Sequence, residues 1–337
     1  VTTSPAMTAY MGLGMAGAAV AASLLFKDKP FCRYMCPVGR ISGIYSNFSP
    51  VEVRRRNAKV CERCTTHDCL NGNENGYACP GGILLKEAHD ASDCTMCSEC
   101  FKTCNKRNVA LNLRPFASDL RSVVSVSNDQ AWLALALLTL TLFHGFSMTS
   151  AWENFSPGGG ESMMKLLMGD WGLTRGIAFT IGMVTVCSIP LVLYAVSCKI
   201  AAAWVGDNGV SAGKLFRQYS FSLLPVALFY HLAHNTMHIL HEGGAIIPFL
   251  SDPMGRGWDL FGTANMNVGS LVSDEVLWFG QVGLILLGHL AGIVVAHRIG
   301  HSLFASKNAA LKSLIPMFVV MIIVSVIGLG LMHLDMN

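Results

Sequence analysis

The chain has 337 residues, of which 52% are hydrophobic and only 13% charged, with a formal net charge of +3. Ordinary soluble domains carry roughly a quarter charged residues, so a wholly soluble protein is excluded. The basic stretch over residues 27–121 could suggest nucleic acid, but flanks of membrane segments on the cytoplasmic side are basic in any case. Twelve cysteines and eleven histidines point instead to redox or metal chemistry.

The first element is an Ala/Gly-rich apolar run near Pro5–Phe26. It has no basic stretch before it and a basic one after it, which argues for an outside-to-inside membrane anchor rather than a signal peptide. At its inner mouth lies Cys32-Arg33-Tyr34-Met35-Cys36-Pro37-Val38-Gly39-Arg40. Cysteines four apart share a helix face, and a proline ends or begins a turn. Cys32 and Cys36 are candidates for a thiol site, as metal ligands or as a dithiol, but two thiols cannot hold an iron–sulfur cube alone; the alternative is that they only shape the turn.

Next comes the most specific signal in the chain. Cys94-x2-Cys97-x2-Cys100-x3-Cys104 is bacterial ferredoxin spacing, in which three thiolates meet one cube and the fourth reaches another. Upstream lie Cys61, Cys64, Cys69 and Cys79, the last followed by Pro80 as in ferredoxins. By the crossover rule Cys61, Cys64, Cys69 and Cys104 are expected to hold one 4Fe–4S cluster, and Cys79, Cys94, Cys97 and Cys100 the other. Asn105 stands where ferredoxins have proline, and the first run is loosened around Cys69. Paired CxxC motifs also serve zinc sites or disulfides. Eight cysteines within 44 residues, three of them at successive CxxC spacing, favour iron and sulfur.

The order of apolar span, Cys32-to-Arg40 motif, basic loop, cysteine runs from Cys61 to Cys104 and further spans resembles the NosR/NapH-type membrane polyferredoxins, over roughly residues 5–120. That resemblance implies electron transfer between the quinone pool and periplasmic reductases or their maturation systems, with other subunits of a redox complex or a periplasmic electron carrier as expected partners. Only one CxxxCP motif is present where such proteins often have two, and four spans follow the clusters.

Six stretches are apolar enough for a bilayer core that needs about 20 residues. They lie near Pro5–Phe26, Ala131–Met148, Ile177–Val205, Ser220–His241, Glu275–His297 and Ser313–His333, with the second expected to extend inward towards Val123. Residues 27–121 carry 15 Lys/Arg against 10 Asp/Glu; loops 198–219 and 298–312 carry six bases and one acid. Segments 149–176 and 242–275 with the C-terminus carry three bases and nine acids. The positive-inside rule then places the cysteine module in the cytoplasm, where thiols stay reduced. The Gly/Pro-containing segments Pro157–Gly160 and Gly243–Asp274 are read as outer loops.

The later spans hold histidines, which are costly in lipid and therefore functional candidates. His231, His234, His238 and His241 fall on one arc of about 80° of an ideal helix. His289 lies deep in the fifth span, and His144 and His333 lie near outer ends. Two sites are expected. His231 and His289, at matching depth, are candidate axial ligands of a haem b. His144, His234, His238, His241 and His333 are candidates for an outer haem or metal. The hydrocarbon core is about 30 Å thick, too far for a single electron hop, which favours haem. Copper is the alternative, because outer methionines such as Met148, Met254 and Met266 supply thioethers. Glu242 could accept a proton from a quinol.

The fold class expected is an all-α polytopic membrane protein of about six transmembrane helices, with an inserted small ferredoxin-like two-cluster domain. Residues 1–30 form the first helix, 31–122 the CxxxCP segment and cluster domain, and 123–337 a histidine-lined membrane domain with five further helices. The function expected is electron transfer in the cytoplasmic (inner) membrane, without nucleic acid. Any catalysis would be quinol oxidation or quinone reduction. The alternative is a metal-handling protein using the clusters as reductant.

Overall fold

Residues 5–25 contain no charge and favour helix by their alanines and methionine side chains. In the computed structural model, which describes residues 5–26, 31–92, 94–121, 126–153, 162–206 and 210–331, they form α1 (Pro5–Leu25). A single π-turn, Phe31–Met35, follows, closed by the Cys36 N–H donating to the Phe31 carbonyl at 2.8 Å. Cys36 is the extended N-cap of α2 (Pro37–Tyr45). Pro37 at the first helical position gives up an N–H that would have no helical partner there. Gly39 is required: a Cβ on it would stand 2.3 Å from the Cys32 carbonyl oxygen.

The chain divides into two units, Val1–Ser125 and Val126–Asn337. In the first, β1 (Val51–Arg55) pairs antiparallel with β2 (Val109–Leu113), with Val53 opposite Leu111. Between the strands run the short helices α3 (Ala58–Glu62), α4 (Asp68–Asn71) and α5 (Glu99–Thr103). After β2 comes α6 (Ser118–Arg121). The small core of this unit is Val53, Leu85 and Val109, with Cys69, Cys94, Cys100 and Cys104 packed against it.

An ion network braces that core. The Arg114 guanidinium donates to Glu52 at 2.8 Å and to both oxygens of Asp119 at 2.6 and 2.8 Å. Arg54 donates to Glu52 at 2.9 Å and to the Asp90 carbonyl at 2.8 Å. Asp119 also accepts the Ala91 N–H at 3.0 Å. Asp119 thereby joins residue 91 of the loop before Cys94 to Arg114, which follows β2. The Arg54-Arg55-Arg56 run that reads as a charge bias is largely engaged: Arg55 donates to the Lys86 carbonyl and Arg56 to that of Val109.

The second unit is helical. Ser127 caps α7 (Asn128–Ser147) and exchanges hydrogen bonds with Gln130 in a capping box. That cap starts the helix at residue 128, three residues inward of Ala131; Val123 lies outside the described residues. Short α8 (Ser150–Glu153) and α9 (Met163–Lys165) lead to α10 (Arg175–Val205). Then follow α11 (Ala212–Ser220), α12 (Leu224–Met237), α13 (Ile246–Ser251), α14 (Asp274–Leu303) and α15 (Lys307–Leu331). The segment read as a plain outer loop from Gly243 to Asp274 therefore contains a helix. His333 lies outside the described residues.

Five of these helices, α1, α7, α10, α14 and α15, are long and apolar enough to cross a membrane. The stretch expected as a fourth span takes a broken course. A 3-10 turn at Phe221–Leu223 precedes α12, Pro225 sits in its first turn, and a π-turn at His238–Glu242 follows it. Glycines let α14 approach α12 closely, as small residues do between membrane helices. A Cβ on Gly292 would stand 2.7 Å from the Ser222 carbonyl oxygen, and one on Gly288 3.1 Å from that of Pro225. Large apolar side chains remain exposed along the long helices, among them Val184, Val192, Leu287, Leu290, Val319 and Ile322. Exposed apolar surface on this scale marks an interaction surface such as a membrane contact, consistent with a membrane protein.

Candidate iron–sulfur centres and histidine cluster

Each cysteine of the first unit is placed by a short turn or helix. Cys61 lies in α3, whose N-cap Asn57 accepts the Lys59 N–H. Cys64 follows in a turn, with its N–H on the Cys61 carbonyl at 3.2 Å. Cys69 lies in α4, Cys100 in α5, and Cys104 is the C-cap of α5. The Cys79 N–H donates to Leu70 at 3.0 Å and that of Cys94 to Ala91 at 3.0 Å.

These turns sort the thiols into two groups. Cys61, Cys64, Cys69 and Cys104 line one hollow with about 440 Å³ of empty space, part of it open to solvent. Cys79, Cys94, Cys97 and Cys100 line a second, of about 510 Å³, which Cys69 also borders. The grouping follows the crossover of the ferredoxin spacing, with Cys104 leaving its own run for the first hollow. Zinc would need its sulfurs about 2.3 Å from one point. Among the described residues no three Cys, His, Asp or Glu side chains are arranged round a single ion.

The surroundings of the sulfurs suit thiolates bound to iron. The buried Asn108 donates its side-chain amide to Cys61 Sγ at 3.2 Å and directs its backbone N–H to Cys104 Sγ at 3.4 Å. The Ile83 N–H points to Cys79 Sγ at 3.5 Å. Five non-glycine residues among those described have positive φ, and four lie in the cysteine loops: His67, Met96, Ser98 and Arg107. Such conformations cost roughly 1–3 kcal/mol each and persist where the surroundings dictate them. They also turn backbone N–H groups into anion-binding concavities found at iron–sulfur sites. The His67 N–H lowers the Cys64 thiol's pKa below its ordinary value, outweighing burial. Burial dominates elsewhere: it raises Cys69 and Cys94, and with the neighbouring thiolates of Cys94, Cys79 and Cys97 it pushes Cys100 up to about 12. Sequence reasoning missed Asn108, which has no spacing signal of its own.

In the second unit the histidines divide differently from the periodic stripe. Thr141 donates to the Leu137 carbonyl at 2.7 Å and accepts from His231 Nε2 at 2.9 Å. His144 and His238 Nε2 lie 2.9 and 3.1 Å from His234 Nε2. His238 Nδ1 donates to Glu242 at 3.1 Å. His241 leaves the stripe, because the π-turn rotates it away from the 3.6-residue phase, and it faces Asp274 at 3.6 Å. His289 is 6% exposed; its Nδ1 donates to the Ile285 carbonyl at 2.9 Å, and its Nε2 has no partner. Tyr230 packs edge-on to it at 5.9 Å, with its own hydroxyl unpartnered. His231 and His289 thus engage different neighbours.

Residues 8–57 match the family described as a 4Fe–4S binding domain. That match supports an iron–sulfur cluster in this protein. The chain is 34% identical over 82 residues to an Escherichia coli protein named "Putative electron transport protein YccM", covering 24% of this chain and 20% of that one. It is 32% identical over 81 residues to the uncharacterized protein MJ0749 of Methanocaldococcus jannaschii, covering 23% of this chain and 27% of the relative. A second protein of that organism, the uncharacterized MJ0750, is 30% identical over 82 residues, covering 24% of this chain and 30% of the relative. The chain therefore spans between a fifth and three tenths of the length of the curated relatives it matches. No solved structure matches it.

Proposed function

We propose that this protein is a membrane electron-transfer subunit. The observation that carries the reading is the sorting of eight cysteines into two quartets, each lining its own hollow and both packed on one small core. Cys61, Cys64, Cys69 and Cys104 would hold one 4Fe–4S cluster, and Cys79, Cys94, Cys97 and Cys100 a second. When bound, such clusters supply one-electron chemistry at potentials set by hydrogen bonds to sulfur, charge and exposure. The protein's own contribution is to hold the thiolates, aim N–H donors at them and cover their inner sides with Val53, Leu85 and Val109. Similarity to a protein named for electron transport agrees with this role. The basic flank supports a cytoplasmic position for this unit at the inner membrane, with a quinone pool and a further redox subunit or carrier as its proposed partners.

The histidines serve an electron path through the membrane half. His289 would hold a haem iron through Nε2: its Nδ1–H is fixed by a carbonyl, the usual arrangement of a metal-bound histidine, and its buried Nε2 is unpartnered. His231 would have to exchange Thr141 for the iron. The copper reading is less well supplied, because the outer histidines are not grouped round one ion position among the described residues.

Optical spectra test the proposal. Dithionite should bleach the visible absorbance of the thiolate-bound clusters and develop a sharp b-type α-band. Stoichiometric copper with neither feature would move the protein to metal handling.

A further inference from the structure

Reduction adds one negative charge to a thiolate-bound cube. N–H donors and cations beside its sulfurs therefore favour the reduced state, and burial without them opposes it. The two hollows differ in these respects. Asn108 directs two N–H groups at sulfurs of the first quartet, its side-chain amide at Cys61 and its backbone at Cys104. The His67 N–H serves a third, Cys64, and holds that thiol below its ordinary pKa. In the second quartet the Ile83 N–H meets Cys79 at 3.5 Å. Burial raises Cys94 and outweighs the Met96 N–H that faces it. Cys100 is pushed up to about 12 by burial and by the neighbouring sulfurs. Cys69, raised by burial as well, borders both hollows.

Charge runs the same way. Among the described residues Lys86, Lys106 and Asp68 line the first hollow, a net positive wall, whereas Arg54 and Asp90 line the second and offset each other. Lys86 is aimed: its ammonium donates to His67 Nε2 at 3.5 Å, beside the turn whose N–H faces Cys64. Arg54 is committed elsewhere, to Glu52 at 2.9 Å and to the Asp90 carbonyl at 2.8 Å. Leu85 and Cys69 line both hollows, so the two sites adjoin.

We infer that the two cluster sites are electrically unequal: the first quartet, Cys61, Cys64, Cys69 and Cys104, takes up an electron before the second, and Asn108 and Lys86 set the difference. This ordering rests on the two-cluster reading above. Neither residue is a ligand; Asn108 acts through N–H groups on two sulfurs and Lys86 through its charge beside a third. The ordering gives the module a direction. An electron received at the second site passes to the first, which is left reduced while the second returns to its oxidised state. The second site is the stronger reductant, and the first is where the electron rests.

The test is a redox titration of the full chain, purified without oxygen, that follows the magnetic signals of the reduced clusters. Two signals should appear at different potentials. Cys97→Ser, which alters a ligand of the second quartet alone, should remove the lower-potential one. Lys86→Gln keeps the backbone carbonyl that Arg55 uses and should move only the higher-potential signal, downward. Asn108→Ala should move the same signal further, by on the order of a tenfold loss in its reduction equilibrium, the scale of a hydrogen bond to a charged group. Two clusters at one potential, or loss of the higher-potential signal in Cys97→Ser, would overturn the ordering. A folded Lys86→Gln protein with both signals unmoved would overturn the role given to its charge, whatever the fate of Asn108→Ala. A protein that shows neither signal would overturn the two-cluster reading itself, and the ordering with it.

Discussion

Asn108 donates its side-chain amide to the sulfur of Cys61 at 3.2 Å, from 47 residues away in sequence. The same amide reaches the Asn57 carbonyl at 2.8 Å, and the Asn108 Oδ1 accepts the Asn57 N–H at 2.9 Å. One buried side chain thus ties the start of β2 to the α3 N-cap and to a thiolate. An N–H directed at a cluster sulfur favours the more negative, reduced state. Asn108→Ala should therefore lower the reduction potential of one cluster and leave the other unmoved, as read by redox titration of the two reduced-state magnetic signals. It should also destabilise the unit by about 0.5–1.5 kcal/mol, because the exposed Asn57 loses its two hydrogen bonds to Asn108.

Thiol reactivity of the iron-free chain should follow the local electrostatics. Thiolate is the nucleophile, so a depressed pKa speeds alkylation and a raised one slows it. Cys64, held low by the His67 N–H, should react with iodoacetamide before the others near neutral pH. Cys100, pushed up to about 12 by burial and neighbouring sulfurs, should react last and accelerate only in strong alkali. Peptide mapping after timed quenching gives the order.

The Arg114–Asp119 pair is 9% and 6% exposed and closes the network around the second hollow. Removing Asp119 leaves Arg114 only Glu52 as a carboxylate partner and strands the Ala91 N–H, at a cost of about 1–3 kcal/mol. Asp119→Ala should release the loop before Cys94 and lower the guanidinium concentration at which cluster absorbance is lost. The surface pair Lys102–Glu99 has its lysine 56% exposed, and Lys102→Ala should leave that concentration almost unchanged.

His289→Leu should abolish the b-type absorbance while the cluster signals persist. His144→Ala and His238→Ala should leave that absorbance intact and perturb exchange with an external partner. A His289→Leu protein with full haem content would remove His289 from the path.

Charge placement and cysteine spacing were legible in the sequence for different reasons. CxxC spacing fixes where thiols can point within one or two turns, so the grouping of Cys94, Cys97 and Cys100 could be read locally. Asn108 could not, because its role depends on the pairing of strands more than fifty residues apart. The arginines at 54–56 read as a flank facing the cytoplasm, yet their partners Glu52, Asp119 and three carbonyls emerge only from the tertiary fold. The histidine stripe assumed an unbroken 3.6-residue helix through His241; the π-turn at 238–242 ends that phase. His289 was picked out by its depth, whereas its unpartnered Nε2 could be seen only in the structure.

The most direct measurement is iron and acid-labile sulfide per chain in the Cys32→Ser/Cys36→Ser protein, purified without oxygen. Two quartets of cysteines should give about eight of each, and Cys97→Ser on that background should remove one cluster's signal while weakening the other. A chain that holds only zinc, or iron for a single cluster that Cys97→Ser leaves untouched, would contradict the account.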